Sequence, residues 1–141
     1  WIRFKNKFGS DVNATLIIIT PRATSWLKAY HGLHGIKIVE GASDEERDQI
    51  IMSAFAEVSY SRQGTMLLTL LEAISQDRLL VVNNSHNGEL NCNNSVSLSE
   101  LGVLISDNNF AAVKAKRESA RAILTKRSVS IFENEVSAYY D

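Results

Sequence analysis

The sequence predicts an α+β domain in which helices pack on a small mixed sheet. Three observations lead there. Short β-branched or apolar runs alternate with segments whose apolar residues recur at helical spacing. The 141 residues suit one domain, 1–141, and a chain of that length can bury roughly 68–70% of its unfolded surface. No internal repeat, no linker-like Gly/Ser/Pro tract and no break in composition divides it.

Taken in order, Trp1-Ile2-Arg3-Phe4-Lys5 alternates with period two and reads as a half-exposed strand, closed by a turn at Gly9-Ser10-Asp11. Ala14 to Ile19 is a β-branched run, read as a buried strand. Pro21 suits the first position of a helix, which would pass Trp26 and Leu27 and end at Gly32 or Gly35. Ile36 to Val39 is a second strand. Ser43 and Glu46 form a capping box, and Ile50, Ile51, Ala54, Phe55 and Val58 continue that helix. After an interruption at Ser61-Arg62-Gln63-Gly64, Met66 to Ile74 is again helical. Gly64 is expected either to end a helix with positive φ or to permit close packing.

Leu79 to Val82 is a strand, and the polar stretch from Asn83 to Ser99 holds a hairpin turn at Asn87-Gly88. Val103-Leu104-Ile105 reads as a strand. Asp107 or Asn108 would cap a helix from about Asn109 to Thr125. A short connection would then lead to a last helical segment, Ile131 to Tyr140.

Composition excludes several classes. With 45% hydrophobic and 22% charged residues the chain has the make-up of a soluble globular protein, not of a disordered one. No apolar run approaches the roughly 18–20 residues of a membrane span, so no membrane partner is expected. The formal charge of −1 predicts no general affinity for nucleic acid. Cys92, the single cysteine, excludes an internal disulfide. The chain opens on Trp1, as a processed form or a piece of a longer protein would, and no signal-peptide core follows. Asn13, Asn83 and Asn93 head Asn-x-Ser/Thr triplets, which an Asn-rich chain produces by chance.

Motifs for chemistry are sparse. There is no GxxxxGK[ST], no GxGxxG and no GxSxG. His31 and His34 are three apart, but the adjacent Gly32 and Gly35 suggest a helix end where imidazoles meet free carbonyls. His86 lies in a polar stretch, and Cys92 has no neighbouring base to activate it. No cofactor or metal is expected from these residues.

The segment with Lys114, Lys116, Arg117, Arg121, Lys126 and Arg127 carries one acidic residue, Glu118. At 100° per residue, Phe110, Val113, Ala120 and Leu124 form its apolar stripe, with Arg117 inside the stripe and Arg121 beside it. Lys116 points elsewhere. Both arginines either snorkel or enter a cleft to meet carboxylates. Glu133 is the expected partner, with Glu135 and Asp141 as alternatives.

These residues resemble the small bacterial effector-type zinc metallopeptidases of the zincin class, including type III secreted effector peptidases. Ser61-Arg62-Gln63-Gly64-Thr65-Met66-Leu67-Leu68-Thr69-Leu70-Leu71, followed by Leu79 to Val82, is similar to that family's Ser-x-x-Gly-x-x-Leu-Leu helix and first core strand. Arg117-Glu118-Ser119-Ala120-Arg121-Ala122 stands where the family has His-Glu-x-x-His-Ala. Phe132-Glu133-Asn134-Glu135-Val136-Ser137-Ala138-Tyr139 resembles the helix carrying the third ligand. The likeness covers about residues 45–141. It implies a zincin-like core helix, with Glu118 at the general-base position and Glu133 or Glu135 at the third-ligand position. Arginine at both histidine positions has no lone pair to give a metal, so the resemblance implies a non-catalytic domain without zinc.

The first expectation is therefore a non-catalytic protein-binding domain, part of a secreted effector or toxin-like protein. It would hold a protein partner through Arg117, Glu118, Arg121, Glu133 and Glu135. The second is an anionic-ligand or nucleic-acid binder that uses the basic segment 114–127, joined by Arg3, Lys5 and Lys7 if folding brings them together. The third is a hydrolase with a site drawn from Glu118, His31, His34 or Cys92.

Overall fold

The structure, a computed structural model, describes residues 1–60, 68–83 and 89–128, and the helical backbone of 129–140. The fold is α+β. Helix α1 (Ile2–Phe8) leads into strand β1 (Leu16–Thr20), helix α2 (Ser25–Lys28) and strand β2 (Ile36–Glu40). Helix α3 (Asp44–Ser53), strand β3 (Ala56–Ser59), helix α4 (Leu68–Ser75) and strand β4 (Leu79–Val82) follow, then helices α5 (Leu98–Ser106) and α6 (Phe110–Tyr140).

The expected mixed sheet is instead two parallel pairs. Leu16 faces Ile36 and Thr20 faces Glu40 in β1–β2, and Ala56 faces Leu79 and Ser59 faces Val82 in β3–β4. Each pair is joined across a helix, α2 or α4, and such a crossover brings the second strand back in the direction of the first. Val96 adds a parallel bridge on the other side of β4: its N–H donates to Leu80 O, and its carbonyl accepts from Val82 N, both at 2.9 Å.

Strand β4 is the centre of the core. Leu80 and Val82 pack with Leu70, Ala73 and Ile74 of α4 and Ala120 and Ile123 of α6. Leu79 and Val81 face the other way, against Val96, Leu101, Leu104 and Val113. Burial on both faces is why Leu79 to Val82 is an unbroken apolar run without alternation. Each of these side chains contributes about 1.5–3 kcal/mol by leaving water.

Further expectations are corrected. The N-terminal segment is a helix, because Trp1, Phe4 and Phe8 also obey helical spacing. Their rings pack in sequence, with centroids 5.1 and 5.3 Å apart, against Leu98 and Ile105. The Pro21 helix is shorter and begins later, at Ser25 after Thr24. The capping-box helix ends at Ser53, not at Val58. Its Ser43 and Glu46 form the box as expected, but Ala54 turns extended and Ala56 to Ser59 becomes the partner that β4 requires.

Val103-Leu104-Ile105 is helical. Ser97 accepts from Glu100 N at 3.1 Å to start α5, and Leu101 and Leu104 reach the core from one face of that helix. Segment 110–140 is one helix with no connection inside it, since neither Gly nor Pro interrupts it. Asn109, not Asp107 or Asn108, supplies its cap by accepting from Ala112 N at 3.2 Å.

Candidate functional site

Among the described residues, Arg117, Glu118 and Arg121 each make a different contact. Arg117 is half-buried and donates Nη2 to the Phe55 carbonyl at 3.0 Å, with its guanidinium 5.0 Å from the centre of the Phe55 ring. Burial, and secondarily the nearby Arg78, lower its pKa. Glu118 is exposed and lies 3.9 Å from Lys114. Arg121 is exposed and pairs with Asp77 at 3.2 Å. Glu133, Glu135 and Asp141, the partners expected for the arginines, have side chains outside the described residues. Gly64, His86, the Asn87-Gly88 turn and most of the Ser61 to Leu71 stretch also lie outside them.

The basic segment is not one free face. Lys116 turns inward: its side chain is 13% exposed, donates to Cys92 O and to Ser95 O at 3.4 Å, and lies 3.3 Å from Glu100. Arg127 grips Glu89 through both Nε and Nη2, at 3.0 and 2.6 Å. Lys5 is committed to the Ala14 carbonyl at 3.1 Å, and α1 packs on α5.

The histidines also serve local structure. His31 accepts from Ile38 N at 3.0 Å through Nδ1, so its imidazole meets an amide and not the expected carbonyl. The His34 carbonyl accepts from the Trp1 indole at 2.8 Å, in a turn where Gly32, His34 and Gly35 all have positive φ. Among the described residues no group of three or more His, Cys, Asp or Glu could hold a metal.

A cavity of about 330 Å³ opens at the carboxyl end of β4. Val82 and Asn83 form its strand side. Leu90, Asn91, Cys92, Ser95 and Val96 come from the chain that returns beside β4, and Ser97 and Glu100 from the start of α5. The lining combines the apolar Val82, Leu90 and Val96 with amides, hydroxyls and one carboxylate. The wall is built by its own hydrogen bonds. Asn91 O accepts from Asn94 N, Ser95 N and Ser95 Oγ, and the buried Asn94 side chain bonds both Asn91 N and Glu89 O. Lys116 clamps that wall from the α6 side and offsets the charge of Glu100.

In parallel βαβ units, ligands bind at the carboxyl ends of the strands, and a concave, part-apolar site of this size with a few directed polar groups is the usual form. Sequence reasoning missed it. The available signals were the Ser97…Glu100 capping pattern and the asparagine density from Asn91 to Asn94.

A second polar cluster joins α3, β3 and α4. Arg47 meets Glu72 at 3.5 Å, and Glu57 has its pKa raised by burial and by the Glu72 charge. The chain matches no protein-family model, no curated protein and no solved structure at a significant level.

Proposed function

We propose that this chain is a small-molecule-binding domain that takes a neutral, hydroxyl-rich ring, a sugar or nucleoside, in the cavity at the carboxyl end of β4. The observation that carries this reading is the pairing of an apolar floor with Asn83, Asn91, Ser95, Ser97 and Glu100 around about 330 Å³. A carboxylate accepts two hydrogen bonds from neighbouring hydroxyls, and amides supply both donors and acceptors. Val82, Leu90 and Val96 would lie against the less polar face of the ring. The nearby ammonium of Lys116 offsets Glu100, which favours an uncharged group over an ion at this position. Calorimetric titration with nucleosides and monosaccharides tests it: one compound should saturate, and Glu100→Gln should weaken that binding about tenfold. Absence of saturation for both classes would refute it.

A second reading keeps the protein-binding expectation and moves it to another surface. Trp26 is 67% exposed, with Leu33 and Ile17 also open to solvent in the β1–β2 unit. Parallel strands are ordinarily covered on both faces. A non-catalytic domain that holds a protein partner through this surface accounts for the exposure. The zincin likeness would then concern ancestry and not activity. Trp26→Ser should abolish such association and leave cavity binding untouched.

A further inference from the structure

At the amino ends of β3 and β4, about 10 Å along β4 from the cavity, three arginines gather. Arg78 immediately precedes β4 and donates to Gln76 O at 2.8 Å and Ala54 O at 2.7 Å. Arg117 donates to Phe55 O, and its Nε is buried without a partner among the described residues. Arg121 reaches Asp77, the residue next to Arg78. Of the three, Arg121 is ion-paired to Asp77, whereas Arg78 and Arg117 spend their donors on backbone carbonyls and lie close enough to repel each other. The Ala54 and Phe55 carbonyls, just past the end of α3, take single N–H groups from Arg78 and Arg117 respectively. A guanidinium has five donors in a planar fork, which suits a bidentate oxyanion.

We propose that Arg78, Arg117 and Arg121 form a binding site for a tetrahedral dianion, the phosphoryl group of a small molecule. The group would enter from the solvent side, where Arg121 is 59% exposed, and replace like-charge repulsion with charge-assisted hydrogen bonds. Phe55, already under the Arg117 guanidinium, holds that fork in place. This inference does not rest on the cavity reading, because the two places share no residue.

The test is titration of the whole chain with inorganic phosphate and with glycerol phosphate, followed by amide chemical shifts at constant ionic strength, with chloride as the control. Saturable shifts at residues 54–56, 77–79 and 117–121 are expected with at least one of the two, at concentrations where chloride has no effect. Arg121→Gln, at an exposed position that folding tolerates, should weaken binding about tenfold. Arg117→Lys should do the same by keeping the charge and losing the fork, whereas Lys114→Gln should leave binding unchanged. Chloride matching both phosphates, or Lys114→Gln weakening binding as much as Arg121→Gln, would overturn the proposal. If Arg117→Lys does not fold, the contrast between Arg121→Gln and Lys114→Gln decides.

Discussion

The guanidinium of Arg117 lies 5.0 Å from the centre of the Phe55 ring and donates to the carbonyl of the same residue at 3.0 Å. One side chain of α6 thereby fixes the point where α3 ends and β3 begins. Both contacts come from one guanidinium, and the carbonyl bond is charge-assisted. Arg117→Ala should cost about 1–2 kcal/mol, the lower part of the range for such contacts because repulsion from Arg78 is also relieved. Lys114→Ala, exposed on the same helix, should stay within about 0.5 kcal/mol. Chemical denaturation of the two variants checks this, and equal midpoints would refute it.

Lys116, next to Arg117 on α6, is turned inward and not solvated. It holds the Cys92 and Ser95 carbonyls and pairs with Glu100, so it joins the cavity wall to α6. Lys116→Ala should destabilise by about 1.5–3 kcal/mol. Hydrogen exchange should speed up at Asn94 and Ser95, whose amides bond Asn91 O inside that wall. Unchanged exchange there would contradict the clamp.

Gly102 lies in α5 directly under the Phe8 ring, and a Cβ at that position would overlap ring atoms. An alanine gains up to about 1 kcal/mol of helix propensity, but overpacking a buried ring costs about 1–3 kcal/mol. Phe8 is buried with Phe4 and Val12 and has little room to turn. Gly102→Ala should therefore lower the melting temperature. A rise would show that α1 can shift on α5 without loss.

Burial and the Glu72 charge raise the Glu57 pKa, so the folded state holds that proton more tightly than the unfolded chain does. The stability Glu57 contributes is present below the unfolded carboxyl value and is lost as pH rises through the raised folded value. Glu57→Gln should accordingly stabilise the protein at neutral pH, and the difference should vanish at acid pH, where Glu57 is protonated in both states. Melting curves across that range measure it. A variant less stable than the parent at neutral pH would show that Arg47 dominates through its contact with Glu72.

Local signals were legible where one pattern had no rival. The Ser43–Glu46 box and the runs Ile36 to Val39 and Leu79 to Val82 each form as the sequence predicts. Rival patterns defeated the reading elsewhere. Phe4 and Phe8 fit a period of two with Ile2 and a helical spacing with Trp1, and Val103 to Ile105 carries β-branched residues inside a capped helix. Phe55 to Val58 continues a helical spacing, yet pairing with β4 draws it into a strand, a tertiary effect that no local window contains. The cavity was illegible for the same reason. Val82, Asn91 and Glu100 belong to a strand, a connecting segment and a helix, which line one cavity where Val96 bridges to β4.

The most direct test of the central claim is an amide-resolved NMR titration of the chain with a nucleoside and with a monosaccharide. The account predicts saturable shift changes for one of them at Val82, Asn91, Cys92, Ser95, Ser97 and Glu100, which line the cavity. The amides of the distant β1–β2 unit, Leu16 to Thr20 and Ile36 to Glu40, should stay still. Saturable changes confined to the β1–β2 unit, or none at the cavity residues with either compound, would contradict it.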